Sequence, residues 1–117
     1  MPTSSESSFP LEISVEEAAN WLLRGGRGEP IILLDVREPH ELEICQIAGA
    51  IHIPLKQLSQ RWNELPTNCP IVINCHHGMR SLRAAEFLKE KGLKKVCSMA
   101  GGIHAWAEEI DPSLQRY

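Results

Sequence analysis

Ile71-Val72-Ile73-Asn74-Cys75-His76-His77-Gly78-Met79-Arg80-Ser81 decides how this chain is read. A short apolar, β-branched run passes through a cysteine-bearing turn straight into a helical pattern. From Ser81 to Lys91, Ala84, Phe87 and Leu88 line one face while Arg83, Glu86 and Glu90 line the other, and Gly92 ends the helix. A strand without polar alternation is one covered on both faces. Comparable runs stand at Ile31 to Leu34, Ala50 to Ile53 and Val96 to Met99. Between them lie further helical patterns. Ser14 with Glu17 forms a capping box ahead of Val15, Ala18, Ala19 and Leu22, and Gly25 and Gly26 stop that helix. Pro39 to Cys45, one or two short helices from Leu55 to Leu65, and Ile103, Trp106, Ala107 and Ile110 ahead of Pro112 complete the set. Strands alternating with helices predict an α/β fold, a small parallel β-sheet flanked by helices on both faces.

The chain has 117 residues, enough for one domain. Residues 1–8 are Ser-rich and polar and read as a loose N-terminal tail, with residues 9–117 forming a single domain. Apolar residues at 43% and charged residues at 23% are the proportions of a globular core, which sets disorder aside. Twelve Lys and Arg against 15 Asp and Glu give a net charge of -3, which argues against charge-driven binding to nucleic acid or to a membrane surface. No run approaches the roughly 18 to 20 apolar residues that span a bilayer. The start shows no basic segment followed by an apolar one, and a cytoplasmic protein is expected. Cys45, Cys69, Cys75 and Cys97 form no Cys-x-x-Cys pair and read as free thiols.

Ligands of parallel α/β folds sit beyond the carboxyl ends of the strands. Three segments fall there: Asp35-Val36-Arg37, Cys75 to Arg80, and Ala100-Gly101-Gly102. Cys75 stands between a strand end and a helix amino terminus, whose free N–H groups favour an anionic sulfur. Arg80 and any protonated His76 or His77 act in the same direction, and Gly78 permits the positive φ that folds amides inward as a nest. An inert buried thiol is the other reading of Cys75, and spacing alone leaves both open. Cys45, Cys69 and Cys97 lack such a turn and read as packing residues. Asp35 and Arg37 are expected to tie neighbouring loops to the strand end, a role compatible with bracing Arg80 from behind. His40, His52 and His104 read as structural or solvent-facing, and Trp21, Trp62 and Trp106 as core.

Several stretches in order resemble the single-domain rhodaneses, the thiosulfate sulfurtransferase-like family. Leu34-Asp35-Val36-Arg37-Glu38 with Glu41, and Ile47 to Pro54, resemble its amino-terminal signature. Cys75 to Ser81 resembles its active-site loop, and Met99-Ala100-Gly101-Gly102-Ile103 through Trp106 its carboxyl-terminal signature, so that the resemblance covers about residues 11 to 110. Cys45 and Gln46 replace the frequent Gly-His of the family, and His76 and His77 fill positions that vary within it. The resemblance implies a two-step transfer in which Cys75 attacks the outer sulfur of a small anionic donor such as thiosulfate and passes it on from a persulfide. His76, His77, Gly78, Met79, Arg80 and Ser81 then form the donor-binding loop, with Arg80 orienting the donor. The acceptor is cyanide, a thiol or a small sulfur-acceptor protein, and neither a metal nor an organic cofactor is needed.

Three rivals remain. A cysteine phosphatase or arsenate reductase also sets a thiolate and an arginine before a helix, but related phosphatase loops carry one more residue between them. A non-catalytic rhodanese-like binding module ordinarily lacks the cysteine that is present here. Metal binding by Cys75, His76, His77 and a further histidine is disfavoured, because adjacent histidines on a tight loop do not easily both face one ion with tetrahedral geometry and no second ligand pair is suitably spaced.

Overall fold

The computed structural model describes residues 9–117, and the tail expected at residues 1–8 lies outside them. In chain order the elements are β1 (Glu12–Ile13), α1 (Val15–Leu23), β2 (Ile32–Asp35), α2 (Pro39–Ile44), β3 (Ile51–His52), a short helical stretch containing α3 (Leu58–Arg61), β4 (Ile71–Asn74), α4 (Met79–Glu90), β5 (Val96–Met99) and α5 (Gly102–Glu109). The sheet order is β1-β5-β4-β2-β3, with every neighbouring pair parallel. The expected parallel α/β sandwich is the fold observed.

Successive strand residues supply two cores, as a two-residue period requires. Leu33, Val72, Cys97 and Met99 face α1 and α5, where Ala18, Ala19, Ile103 and Trp106 close one layer. Leu34, Ile71, Ile73 and Val96 face the other side, closed by Ala84, Ala85 and Leu88 of α4 and Leu58 of α3. Trp21 and Trp106 are core residues, while Trp62 is half-buried against the second layer. Ser14 Oγ accepts from Glu17 N–H at 3.0 Å, but the Glu17 carboxylate accepts from Trp21 Nε1 at 2.7 Å, so the expected capping box is realised only in its Ser14 half. Gly25, at φ +68°, turns the chain so that Gly26 N–H reaches Asn20 O at 2.9 Å.

Two strand expectations are corrected. β1 was not expected, because two residues with one facing outward carry no usable pattern. The run at Ala50 to Ile53 is strand only at Ile51 and His52 and forms an edge, so it is not covered on both faces as its apolar composition suggested. Among the described residues, no helix is long and apolar enough to cross a membrane.

The carboxyl ends of the central strands are polar although fully buried: Asp35 ends β2, Asn74 ends β4 and Ser98 lies in β5. Just past β2, the Arg37 guanidinium is wholly buried. It donates to Asp35 Oδ1 and Oδ2 at 3.0 and 2.8 Å, to the carbonyls of Glu41 and Cys45 at 3.3 and 2.9 Å, and to the Tyr117 hydroxyl at 3.0 Å. Burial works against its charge, but the bonds from Asp35 and Tyr117 outweigh it and raise the Arg37 pKa above its ordinary value. The preferred reading of Asp35 and Arg37, a tie between loops and strand end, describes these contacts. Removing one partner of such a pair leaves a buried charge without compensation and costs about 3–5 kcal/mol. Asp35→Ala is expected to lower the unfolding free energy measured by urea titration by that margin, and an unchanged value would show that the pair contributes nothing to stability.

Candidate active site at the Cys75 loop

Cys75 directly follows β4 and precedes α4, so chain connectivity alone places its sulfur over the helix amino terminus. Two backbone N–H groups point at Sγ, from Gly78 at 3.0 Å and from Ser81 at 3.3 Å. The turn depends on Gly78, whose φ of +108° is open to glycine and strained for other residues, and a Cβ there would stand 3.0 Å from the Gly101 nitrogen. The Ser81 hydroxyl lies 3.3 Å from Sγ and 2.7 Å from the hydroxyl of Ser98. Donors fixed in this way favour negative charge on the sulfur without having to reorganise. Cys75 itself is 1% exposed.

The loop is held from outside by α5. Ile103 N–H donates to Cys75 O at 2.8 Å and His104 N–H to His76 O at 3.0 Å, so the first turn of that helix spends its free amides on the carbonyls of the cysteine loop. The approach is close enough that a Cβ on Gly102 would overlap His76 O and Cys75 O. The three segments at the strand ends meet here: Asn74 Nδ2 lies 3.3 Å from Asp35 Oδ2 on one side, and Gly102 abuts the loop on the other.

Arg80 is turned toward Glu41. It forms a two-point pair with Glu41, Nη1 to Oε1 at 2.7 Å and Nη2 to Oε2 at 2.8 Å. Those bonds use two of its five N–H groups, and its side chain is 33% exposed. Glu41 is the better buried partner. Its carboxylate also accepts from the Glu38 amide at 2.9 Å and from the Tyr117 hydroxyl at 2.9 Å. The Arg80 bonds are the main reason its pKa falls from 4.5 to about 2, against the opposing effect of burial.

Tyr117 joins the two arginine systems, since its hydroxyl accepts from Arg37 and donates to Glu41. Burial, opposed by Arg37 and assisted by Glu41, pushes its pKa up to about 12. Its ring stacks on His76 with centroids 3.7 Å apart and planes within 6°. Burial, and then the neighbouring His77, lower the His76 pKa below 6.5. His77 and Met79 are exposed beside the ring. His52 contacts the Arg37 carbonyl at 2.6 Å. His104, read as structural or solvent-facing, is brought by α5 beside His76 and His77.

Glu41, Ser98, Tyr117 and His104 are the site residues that local pattern reading passed over or left without a role. Glu41 entered only through the family resemblance, and a polar serine within the apolar run Val96 to Met99 was the signal for Ser98. Tyr117 and His104 arrive through tertiary packing. Of the other cysteines, Cys45 and Cys97 are buried and Cys69 is half-exposed. Burial pushes the Cys97 thiol up to about 12, so it stays protonated at neutral pH.

Residues 17–109 match the rhodanese-like domain family, and the chain belongs to it. It is 40% identical over 109 residues, 93% of this chain and 57% of the relative, to a Bacillus subtilis protein named "Putative sulfur carrier protein YrkF". It is 35% identical over 79 residues, 68% of this chain and 74% of the relative, to an Allochromatium vinosum protein named "Sulfurtransferase". A rhodanese-related protein of Thermoplasma volcanium superposes with a TM-score of 0.73 at 35% identity, covering 86% of this chain and 94% of that one. The chain spans less than two thirds of the length of the Bacillus subtilis relatives that it matches.

The Glu41 geometry has a consequence in acid. The folded protein holds this carboxyl at about 2 and the unfolded chain near 4.5, so the unfolded state binds the proton more tightly. The stabilisation is present above pH 4.5 and is lost as pH falls toward 2. Urea midpoints measured across that window are expected to drop more steeply for the wild type than for Glu41→Gln, and parallel profiles would contradict the assignment.

Proposed function

We propose that this domain transfers sulfane sulfur through a persulfide on Cys75. The observation that carries the reading is the pair of backbone N–H groups from Gly78 and Ser81 directed at one sulfur atom. The Cys75 thiolate attacks the outer sulfur of a thiosulfate-like donor. A new S–S bond forms, the donor S–S bond breaks, and sulfite departs with its electron pair. The persulfide's terminal sulfur is then attacked by a nucleophile such as cyanide, a thiol or a small acceptor protein, which restores the thiolate. Every species on this route is anionic near the loop, and inward amides suit all of them.

The remaining N–H groups of Arg80 meet the sulfite end of the donor while Glu41 keeps the guanidinium in place. His76, His77, Gly78, Met79 and Ser81 form the rest of the donor loop, and Asp35 and Arg37 fix the floor beneath Glu41. Because Cys75 is buried, the donor reaches it only as the flanking side chains move. Four residues separate Cys75 from Arg80, one fewer than in related phosphatase loops, and the shorter loop suits a single sulfur better than a tetrahedral phosphate. The free thiols of all four cysteines suit a reducing compartment such as the cytoplasm. The names of the two relatives, a sulfur carrier and a sulfurtransferase, support the same chemistry.

Intact-mass analysis after incubation with thiosulfate is expected to show one added sulfur atom that maps to Cys75 and disappears with cyanide. Cys75→Ser is expected to take up none while keeping a native circular dichroism spectrum. Sulfur uptake retained in that variant would move the nucleophile elsewhere, and hydrolysis of an aryl phosphate without an adduct would overturn the reading.

A further inference from the structure

Three imidazoles meet on the outer wall of the cysteine loop. One nitrogen from each of His76, His77 and His104 lies within 4.8 Å of the other two. Two of these rings carry buried nitrogens with no hydrogen-bond partner, His76 Nε2 and His104 Nδ1. Leaving a buried polar group unpaired is costly, so two on neighbouring rings call for a reason. The rings are also held in place. His104 Nε2 stands 3.4 Å from Glu108 Oε2 one turn along α5, and His76 is stacked on Tyr117. A carboxylate facing the far nitrogen is how metal-bound histidines are commonly supported.

The sequence argument against a metal at this loop was that adjacent histidines do not easily both face one ion and that no second ligand pair is suitably spaced. The fold brings one nitrogen of each adjacent histidine near one nitrogen of His104. The third ligand comes from α5, and the bond from His104 N–H to His76 O pins its helix against the loop. We propose that His76, His77 and His104 form a binding site for one imidazole-preferring divalent transition-metal ion, represented by Zn2+, with Glu108 as the residue that positions His104. Zinc–nitrogen bonds of about 2.0–2.1 Å place tetrahedral ligand nitrogens about 3.4 Å apart. The 4.8 Å limit on the present spacing exceeds that value, so ligation draws the rings together, with exposed His77 the freest to move. Three protein ligands leave a fourth position open for water or a small anion. The site requires no sulfur transfer by Cys75 and stands or falls separately from it.

Calorimetric titration of the untagged chain with Zn2+ in a non-chelating buffer tests the assignment. One ion per chain is expected, both in the wild type and in Cys75→Ser. His104→Ala and His77→Ala are each expected to weaken binding by more than about tenfold, and Glu108→Gln by about tenfold. His77 is exposed, so its variant stays interpretable even if His104→Ala unfolds, and circular dichroism monitors both. No binding, or binding that survives both histidine substitutions, would overturn the proposal. Binding lost in Cys75→Ser and kept in the histidine variants would do so equally, by placing the ion on the thiol.

Discussion

A guanidinium with no exposure to water sits under the functional end of this domain, and much of the site is arranged around keeping it there. An uncompensated charge in that position would be prohibitive, so Arg37 must find an acceptor in almost every direction. It does so by drawing in a strand end through Asp35, the α2 region through the carbonyls of Glu41 and Cys45, and Tyr117 from the far end of the described chain. Asp35 in turn accepts from Asn74, the residue before the cysteine. The demand of one buried charge thus couples β2, β4, α2 and Tyr117 without any covalent link.

Close to the sulfur, formal charges largely cancel. Arg80 is matched by Glu41, as Arg37 is by Asp35. What remains directed at Cys75 is dipolar: two amides at the head of a twelve-residue helix. Such donors cannot swing away or change protonation state, whereas side-chain cations can. The second helix that reaches the loop, α5, serves its backbone instead, and glycine at position 102 allows the two to approach.

Much of this was readable in one dimension because the relevant physics is local. Continuous apolar runs betray strands covered on both faces, and a cysteine between such a run and an amphipathic helix must lie over helix amides. The partners of Arg80 and Arg37 were less legible. Glu41 lies 39 residues from Arg80, and Tyr117 lies 80 from Arg37. Nothing in the intervening pattern records that they meet. The histidine cluster escaped for a related reason: the loop supplies two rings whose directions depend on the chain around Gly78, and the third comes from the register of α5 against that loop. β1 is simply too short to show a period.

That shortness has a consequence of its own. Both borders of the sheet, β1 and β3, are only two residues long. The four-residue strands β2, β4 and β5 are interior, each with a neighbour on both sides. A border so brief offers a second molecule little with which to zip up, and stacking of sheets edge to edge is among the commonest routes from a folded β-structure to insoluble material. Even crowded copies of this domain therefore present little template for one another.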